Sequence, residues 1–184
     1  MLYLFCGAPR KADVKQCLKK LAPKHHFELE IREVDIERSS DDDLTKSQLW
    51  DELLEQIRSG HFDVVFMSPP CNTWSRVRFQ WQQFPGPRPV RNAAWPMGFP
   101  WLSAKQKEIV EFANYFVRQT IQACYAAAAS RTKFLVEHPE DLGAVGRERP
   151  ASVWQLDEMR QMGSFSVSVR GFDSQANSFC FQYT

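Results

Sequence analysis

Short apolar runs alternating with helical stripes constrain this chain more than any other feature. Leu2 to Cys6 is an apolar run closed by Gly7, and Val14, Cys17, Leu18 and Leu21 then recur at helical spacing. Glu28 to Ile36 reads as a second strand ending in acids. After the polar turn Ser39 to Asp43, Trp50, Leu53, Leu54 and Ile57 mark a second helix stopped by Gly60. Asp63 to Met67 is a continuous apolar strand of the kind buried on both faces of a parallel sheet, and it runs into Ser68-Pro69-Pro70-Cys71. Ser103 with Gln106 forms a capping box for a long helix striped by Ile109, Phe112, Ala113, Phe116, Thr120 and Cys124 and reaching Ala129. Lys133 to Glu137 is another buried strand. Pro150 or Ser152 starts a helix carrying Val153, Trp154 and Met159 and stopped by Gly163, before two alternating strands over 165–169 and 178–183.

This order predicts an α/β fold: an open, mostly parallel sheet with helices on both faces, finished by a terminal antiparallel hairpin. A length of 184 residues fits one domain, so residues 1–184 are expected to form a single core. An apolar share of 43% with no run of about 18 apolar residues implies a soluble globular domain with no membrane partner. The net charge of +1 gives the chain as a whole no attraction for nucleic acid, so any such attraction must be local. Five cysteines, at 6, 17, 71, 124 and 180, form no Cys-x-x-Cys pair and leave an odd thiol, which points to reduced thiols and an intracellular protein. The opening residues have no basic lead and read as a first strand rather than a signal peptide.

One segment departs from the alternation. The 34 residues from 69 to 102 show no clear period, far more than the ~2 to 6 usual for such connections. From Val64 to Lys107 there is no Asp or Glu, while Arg76, Arg78, Arg88, Arg91, Lys105 and Lys107 are interleaved with eight aromatic residues. Such a stretch suits phosphate contact and base stacking, with Trp74 and Phe79 expected to face the site; the other reading is that the aromatics cover the sheet.

Ligands of open α/β sheets bind beyond the carboxyl ends of the strands. Phe5-Cys6-Gly7-Ala8-Pro9-Arg10 after the first strand is either a structural turn or a ligand loop at a helix start. Asp35 and Glu37 end the second strand, where a carboxylate can accept ribose hydroxyls. Cys71 is held past a strand end by two prolines, positioned and partly exposed as a nucleophile needs, and Glu137-His138-Pro139 ends the neighbouring strand. A thiol and an acid on adjacent strand ends make a nucleophile and proton-donor pair. Cys6 and Cys124 fall on core positions, and His25-His26 on a basic surface. Asp41-Asp42-Asp43 reads as a cap for the next helix rather than a metal cluster, and no metal is expected.

Phe-x-Gly after strand one, acids after strand two, Pro-Pro-Cys-x-x-x-Ser and then Glu-x-Pro resemble the S-adenosylmethionine-dependent DNA cytosine carbon-5 methyltransferases, in that family's order. The resemblance covers nearly the whole chain and implies a Rossmann-like core of seven strands with S-adenosylmethionine as cofactor and DNA as partner, single-stranded or with a flipped base. By it, Cys71 would attack carbon 6 of a flipped-out cytosine and Glu137 would bind the ring nitrogen and amino group. Gly7 would line the methionine end, Arg10 would pair with the cofactor carboxylate, Asp35 would hold the ribose and Asp43 would lie near the adenine. Phe5 and Pro69 complete the implied cofactor contacts, and Trp74, Arg76, Arg78, Arg88 and Arg91 the implied nucleic-acid contacts. Pro9 stands where the family has a second glycine, and His138 where it has an asparagine. The family's target-recognition region and closing helix have no counterpart after the last strand, and a second chain supplying target recognition is the expected partner. Ser68-Pro69-Pro70 also resembles the Ser-Pro-Pro-aromatic motif of methyltransferases acting on exocyclic amino groups, with Cys71 in place of the aromatic residue. A methyltransferase fold that only binds nucleic acid or a partner is the third reading.

Overall fold

The computed structural model describes residues 1–80 and 86–162, together with the backbones of the strands Val167–Gly171 and Phe179–Tyr183. Four strands lie parallel in one sheet: β1 (Leu2–Leu4), β2 (Arg32–Val34), β3 (Val64–Met67) and β4 (Lys133–Pro139). β1 sits between β2 and β3, and β3 is bordered by β4. Helices α1 (Val14–Leu21), α2 (Ser47–Arg58) and α3 (Ala104–Ala129) connect these strands, giving the mixed α/β, Rossmann-like architecture that the alternation predicts. A short α4 (Asp157–Met162) follows β4. The strands β5 (Val167–Gly171) and β6 (Phe179–Tyr183) pair antiparallel with each other, and β6 pairs antiparallel with β4. Among the described residues the sheet has six strands, not seven. Among its described residues the connection from 69 to 102 forms a 3-10 turn over Arg76–Gln80 and one isolated bridge, Asn92 to Trp95, and no strand. Trp81, Phe84 and Gly163, on which sequence expectations also fell, lie outside the described residues.

Strand alternation sorts the two sheet faces. Leu2, Leu4, Val65, Met67, Phe134 and Val136 pack against α2, α3 and α4. Tyr3, Phe66 and Leu135 face the α1 side, with the Tyr3 and Phe66 rings stacked at 4.5 Å. α2 buries the stripe Trp50, Leu53, Leu54 and Ile57 as its spacing requires, each contributing about 1.5–3 kcal/mol by leaving water. Its N-cap is Lys46 with no side-chain bond, so Asp41–Asp43 do not cap it; Asp43 instead accepts from the Thr45 amide and hydroxyl. α3 carries the expected Ser103/Gln106 capping box, but its buried face starts at Val110, Ala113 and Asn114. Ile109 and Phe112 are exposed, because the loop after Val90 covers the Val110 side instead. Among the described residues no helix is long and apolar enough to cross a membrane.

Gly98 seals that loop onto α3. At φ +118 it has a backbone that side chains rarely adopt, and an added Cβ would stand 2.7 Å from Val110 Cγ1. Val110 is itself buried and cannot retreat. Gly98→Ala is therefore expected to lower unfolding stability by about 1–3 kcal/mol in urea titration, from combined overpacking and strain.

Candidate active site

The loop after β1 is fixed by residues of the β2 end. Gly7 has φ +66, its amide donates to Asp35 Oδ2 at 2.8 Å and its carbonyl accepts from Arg38 Nε at 2.7 Å. Arg38 also reaches Asp13 and Glu33, so one guanidinium joins the loop, the α1 N-cap and β2. Arg38 was not legible as a site residue, since its loop and α1 partners, Gly7 and Asp13, are 31 and 25 residues away. The second Asp35 oxygen accepts from the Glu37 amide. Asp35 thus spends both carboxylate oxygens on shaping the turn, and Glu37 is the exposed carboxylate beside it.

Beyond the strand ends lies a cavity of about 420 Å³, lined by Phe5, Asp35, Ile36, Asp43, Pro70 and Phe112 among others. This is within the size range of small-molecule sites. Apolar walls and carboxylates at one end suit a flat heterocycle carrying hydroxyls. The expected residues Phe5, Asp35 and Asp43 come together here, and hydrogen bonds from Thr45 hold the Asp43 carboxyl below its ordinary range. Pro69 is buried and it is Pro70 that faces the cavity, because successive residues after a strand point to opposite sides. Gly7 and Arg10 do not line it; the Arg10 guanidinium reaches back over Gly7, toward the face of Tyr3 and Glu137.

On that face, Ser68, just past the end of β3, and Glu137, within β4, continue the alternation of Phe66 and Leu135. The Tyr3 hydroxyl and Ser68 Oγ are 3.4 Å apart. Burial raises the Glu137 carboxyl above the usual carboxylate range, while the Ser68 hydroxyl and Arg10 charge pull it down. Burial, and then the Glu137 charge, raise the half-buried Cys71 thiol. The two expected catalytic groups are therefore electrostatic neighbours. The Cys71 carbonyl accepts from the Trp74 and Ser75 amides, closing a turn that fixes the thiol after the two prolines.

No protein-family model, curated protein or solved structure matches this chain.

Three of the expected nucleic-acid contacts are internal supports. Trp74 is 3% exposed and Arg91 1% exposed, with the guanidinium carbon 3.8 Å from the Trp74 ring centre. Arg91 donates to Thr73 Oγ1, Asn114 Oδ1 and the Pro96 carbonyl. Burial brings its pKa down to about 9, which still leaves it charged at neutral pH. Arg78 donates to the Asn72 and Arg88 carbonyls and braces the same loop. Cations in an acid-free stretch read as phosphate contacts, but here backbone carbonyls and a ring face take the place of acids. Arg76 and Phe79 are half-buried and Arg88 exposed. Among the described residues no group of three or more His, Cys, Asp or Glu is placed to hold a metal ion.

His138 is not at the reactive edge. It is 1% exposed between the Trp74 and Trp154 rings, at 6.2 and 6.3 Å, and burial lowers its pKa to about 3. The native imidazole is neutral, whereas the unfolded chain takes up a proton below about pH 6.5. Stability from this group is therefore complete above pH 6.5 and falls by about 1.4 kcal/mol per unit as pH drops toward 3. His138→Leu should flatten this slope when urea unfolding is compared at neutral and mildly acidic pH. An unchanged slope would mean that His138 takes up its proton in the native state.

Proposed function

We propose that the chain is the core of an S-adenosylmethionine-dependent methyltransferase acting on carbon 5 of cytosine in DNA, with Cys71 as nucleophile and Glu137 as proton donor. The observation that supports this reading is the placement of Cys71 and Glu137 toward the carboxyl ends of the neighbouring parallel strands β3 and β4, where the Glu137 charge raises the Cys71 thiol. The finer fold, a Rossmann-like methyltransferase core ended by an antiparallel hairpin, belongs to the same proposal. In this reading the cavity holds the adenosine half of the cofactor: Ile36 and Phe112 offer apolar faces, Glu37, oriented beside the turn that Asp35 shapes, the ribose partner, and Asp43 an acceptor for the amino group. When bound, the cofactor supplies the methyl group.

The reactive form of the pair holds one proton, on Glu137, with Cys71 as thiolate. Its sulfur forms a bond to carbon 6 while the Glu137 proton passes to the ring nitrogen, making carbon 5 electron-rich enough to accept the methyl group. A water molecule acting as base then takes the carbon-5 proton, the carbon–sulfur bond breaks to release the Cys71 thiolate, and the ring nitrogen returns its proton to Glu137. Each charge created at one group is matched by one removed from the other.

The reading is tested by calorimetric titration with S-adenosylmethionine and by denaturing electrophoresis after incubation with 5-fluorocytosine DNA and cofactor. Heat of binding and a covalent band support it. Binding of DNA without either supports a second reading, a non-catalytic binding module, which the raised Cys71 thiol favours.

A further inference from the structure

Among the described aromatic side chains of the long connection, Trp74 is buried and Phe79 and Phe99 are half-buried, but Trp101 is 70% and Trp95 47% exposed. They are not loose. Phe99 stacks on Trp101 at 5.0 Å with an interplanar angle of 8°, and Trp95 meets Trp101 edge-on at 6.4 Å. The backbone beneath is tied down: Phe99 N–H donates to the Val90 carbonyl, Trp95 and Asn92 bridge each other, and Asn114 donates to the Met97 carbonyl. The Pro96 carbonyl rests on Arg91, whose other nitrogen holds Thr73 in the Cys71 loop. Rigid aromatic surface left in water costs free energy unless something covers it.

The charge beside this surface indicates what covers it. Lys105 and Lys107 are exposed in the first turn of α3, have no ion-pair partner among the described residues, and sit where the helix dipole disfavours cations and no acid is present. An anion there relieves that cost. Glu108 and Glu111 come next along the helix, and Glu111 is turned toward Arg118.

We propose that Trp101, backed by Phe99 and flanked by Trp95, is a stacking platform for unpaired bases of a single-stranded polynucleotide, with Lys105 and Lys107 taking its phosphates. Stacked aromatics next to cations tolerate any base, since every base has a π-face. The platform rests on the nucleic-acid half of the function proposed above and is independent of methyl transfer.

Fluorescence anisotropy with labelled oligothymidylate, an abasic strand of equal phosphate number and a duplex of equal length tests it. The abasic strand and the duplex are expected to bind about tenfold or more weakly than oligothymidylate. Trp101→Ala should cause a similar loss without changing the unfolding midpoint, because the side chain is mostly in water. Lys105→Gln with Lys107→Gln should reduce the salt slope by about 1.4. Equal binding of the abasic strand or duplex overturns the proposal, as does unaltered binding by Trp101→Ala. Self-association that Trp101→Ala abolishes, without strand binding, overturns it in favour of a second copy of this chain. Strand binding by a protein that forms no 5-fluorocytosine adduct keeps the platform and removes the methyltransferase reading; adduct formation without base-dependent binding does the reverse.

Discussion

Cys71→Ala is expected to form no covalent complex with 5-fluorocytosine DNA, while keeping its affinity for S-adenosylmethionine. The thiol is the nucleophile in the proposed reaction, and it does not line the cavity assigned to the cofactor. Glu137→Gln should reduce methyl transfer by about 10²- to 10⁴-fold, the usual contribution of a positioned proton donor. It should also do something a structural role would not. The Glu137 charge raises the Cys71 thiol, so removing it lowers that pKa and speeds alkylation of Cys71 by iodoacetamide at mildly alkaline pH, by about two- to tenfold. Wild-type alkylation should rise with pH into the alkaline range, since the unperturbed thiol already titrates at 9.0 and burial moves it higher. A covalent band in Cys71→Ala would remove Cys71 from the mechanism, and an unchanged alkylation rate in Glu137→Gln would show that the two groups do not act on each other.

Arg91→Ala is expected to cost about 3 kcal/mol or more in urea unfolding. The substitution leaves Thr73 Oγ1, Asn114 Oδ1 and the Pro96 carbonyl without their shared donor and opens space above Trp74. A surface phosphate contact would instead change stability by about 0.5 kcal/mol or less and weaken DNA binding directly. Arg91→Met separates packing from hydrogen bonding: it covers Trp74 but donates nothing, and should recover only part of the loss. The damage should extend to Cys71, because Thr73 lies two residues away, and faster alkylation of Cys71 in Arg91→Ala would report a loosened loop. Stability within about 0.5 kcal/mol of wild type would show that the guanidinium is not a buried brace.

These two residues show what could be read in the chain and what could not. Strands and helices were legible where periodicity acts locally: the apolar run ending at Met67, the α2 stripe and the Ser103/Gln106 box all follow from neighbours within a few residues. Cys71 and Glu137 were legible as a pair because parallel strands joined by a crossover must end on the same sheet edge. The role of Arg91 depends on Asn114, 23 positions away, and on a ring face that only the folded loop presents. Trp101 was hidden for the opposite reason, since an aromatic residue is ordinarily assigned to the interior. The α3 stripe failed at Ile109 and Phe112 because periodicity identifies an apolar face but not whether sheet, loop or cavity meets it. The seventh strand was implied only by resemblance, with no apolar run in the chain read for it.

The clamp on Gly7 also bears on how a ligand would be admitted. With its N–H held by Asp35 and its carbonyl by Arg38, the peptide on either side of Gly7 is fixed before anything binds. The entropy of ordering this loop is lost during folding, so ligand entry need not lose it again. Binding should then resemble a key entering a cut lock, with a small reorganisation term. Any substitution that frees Arg38 would convert the rigid receptor into one that must reassemble around each ligand, slowing association even where every contacting side chain remains in place.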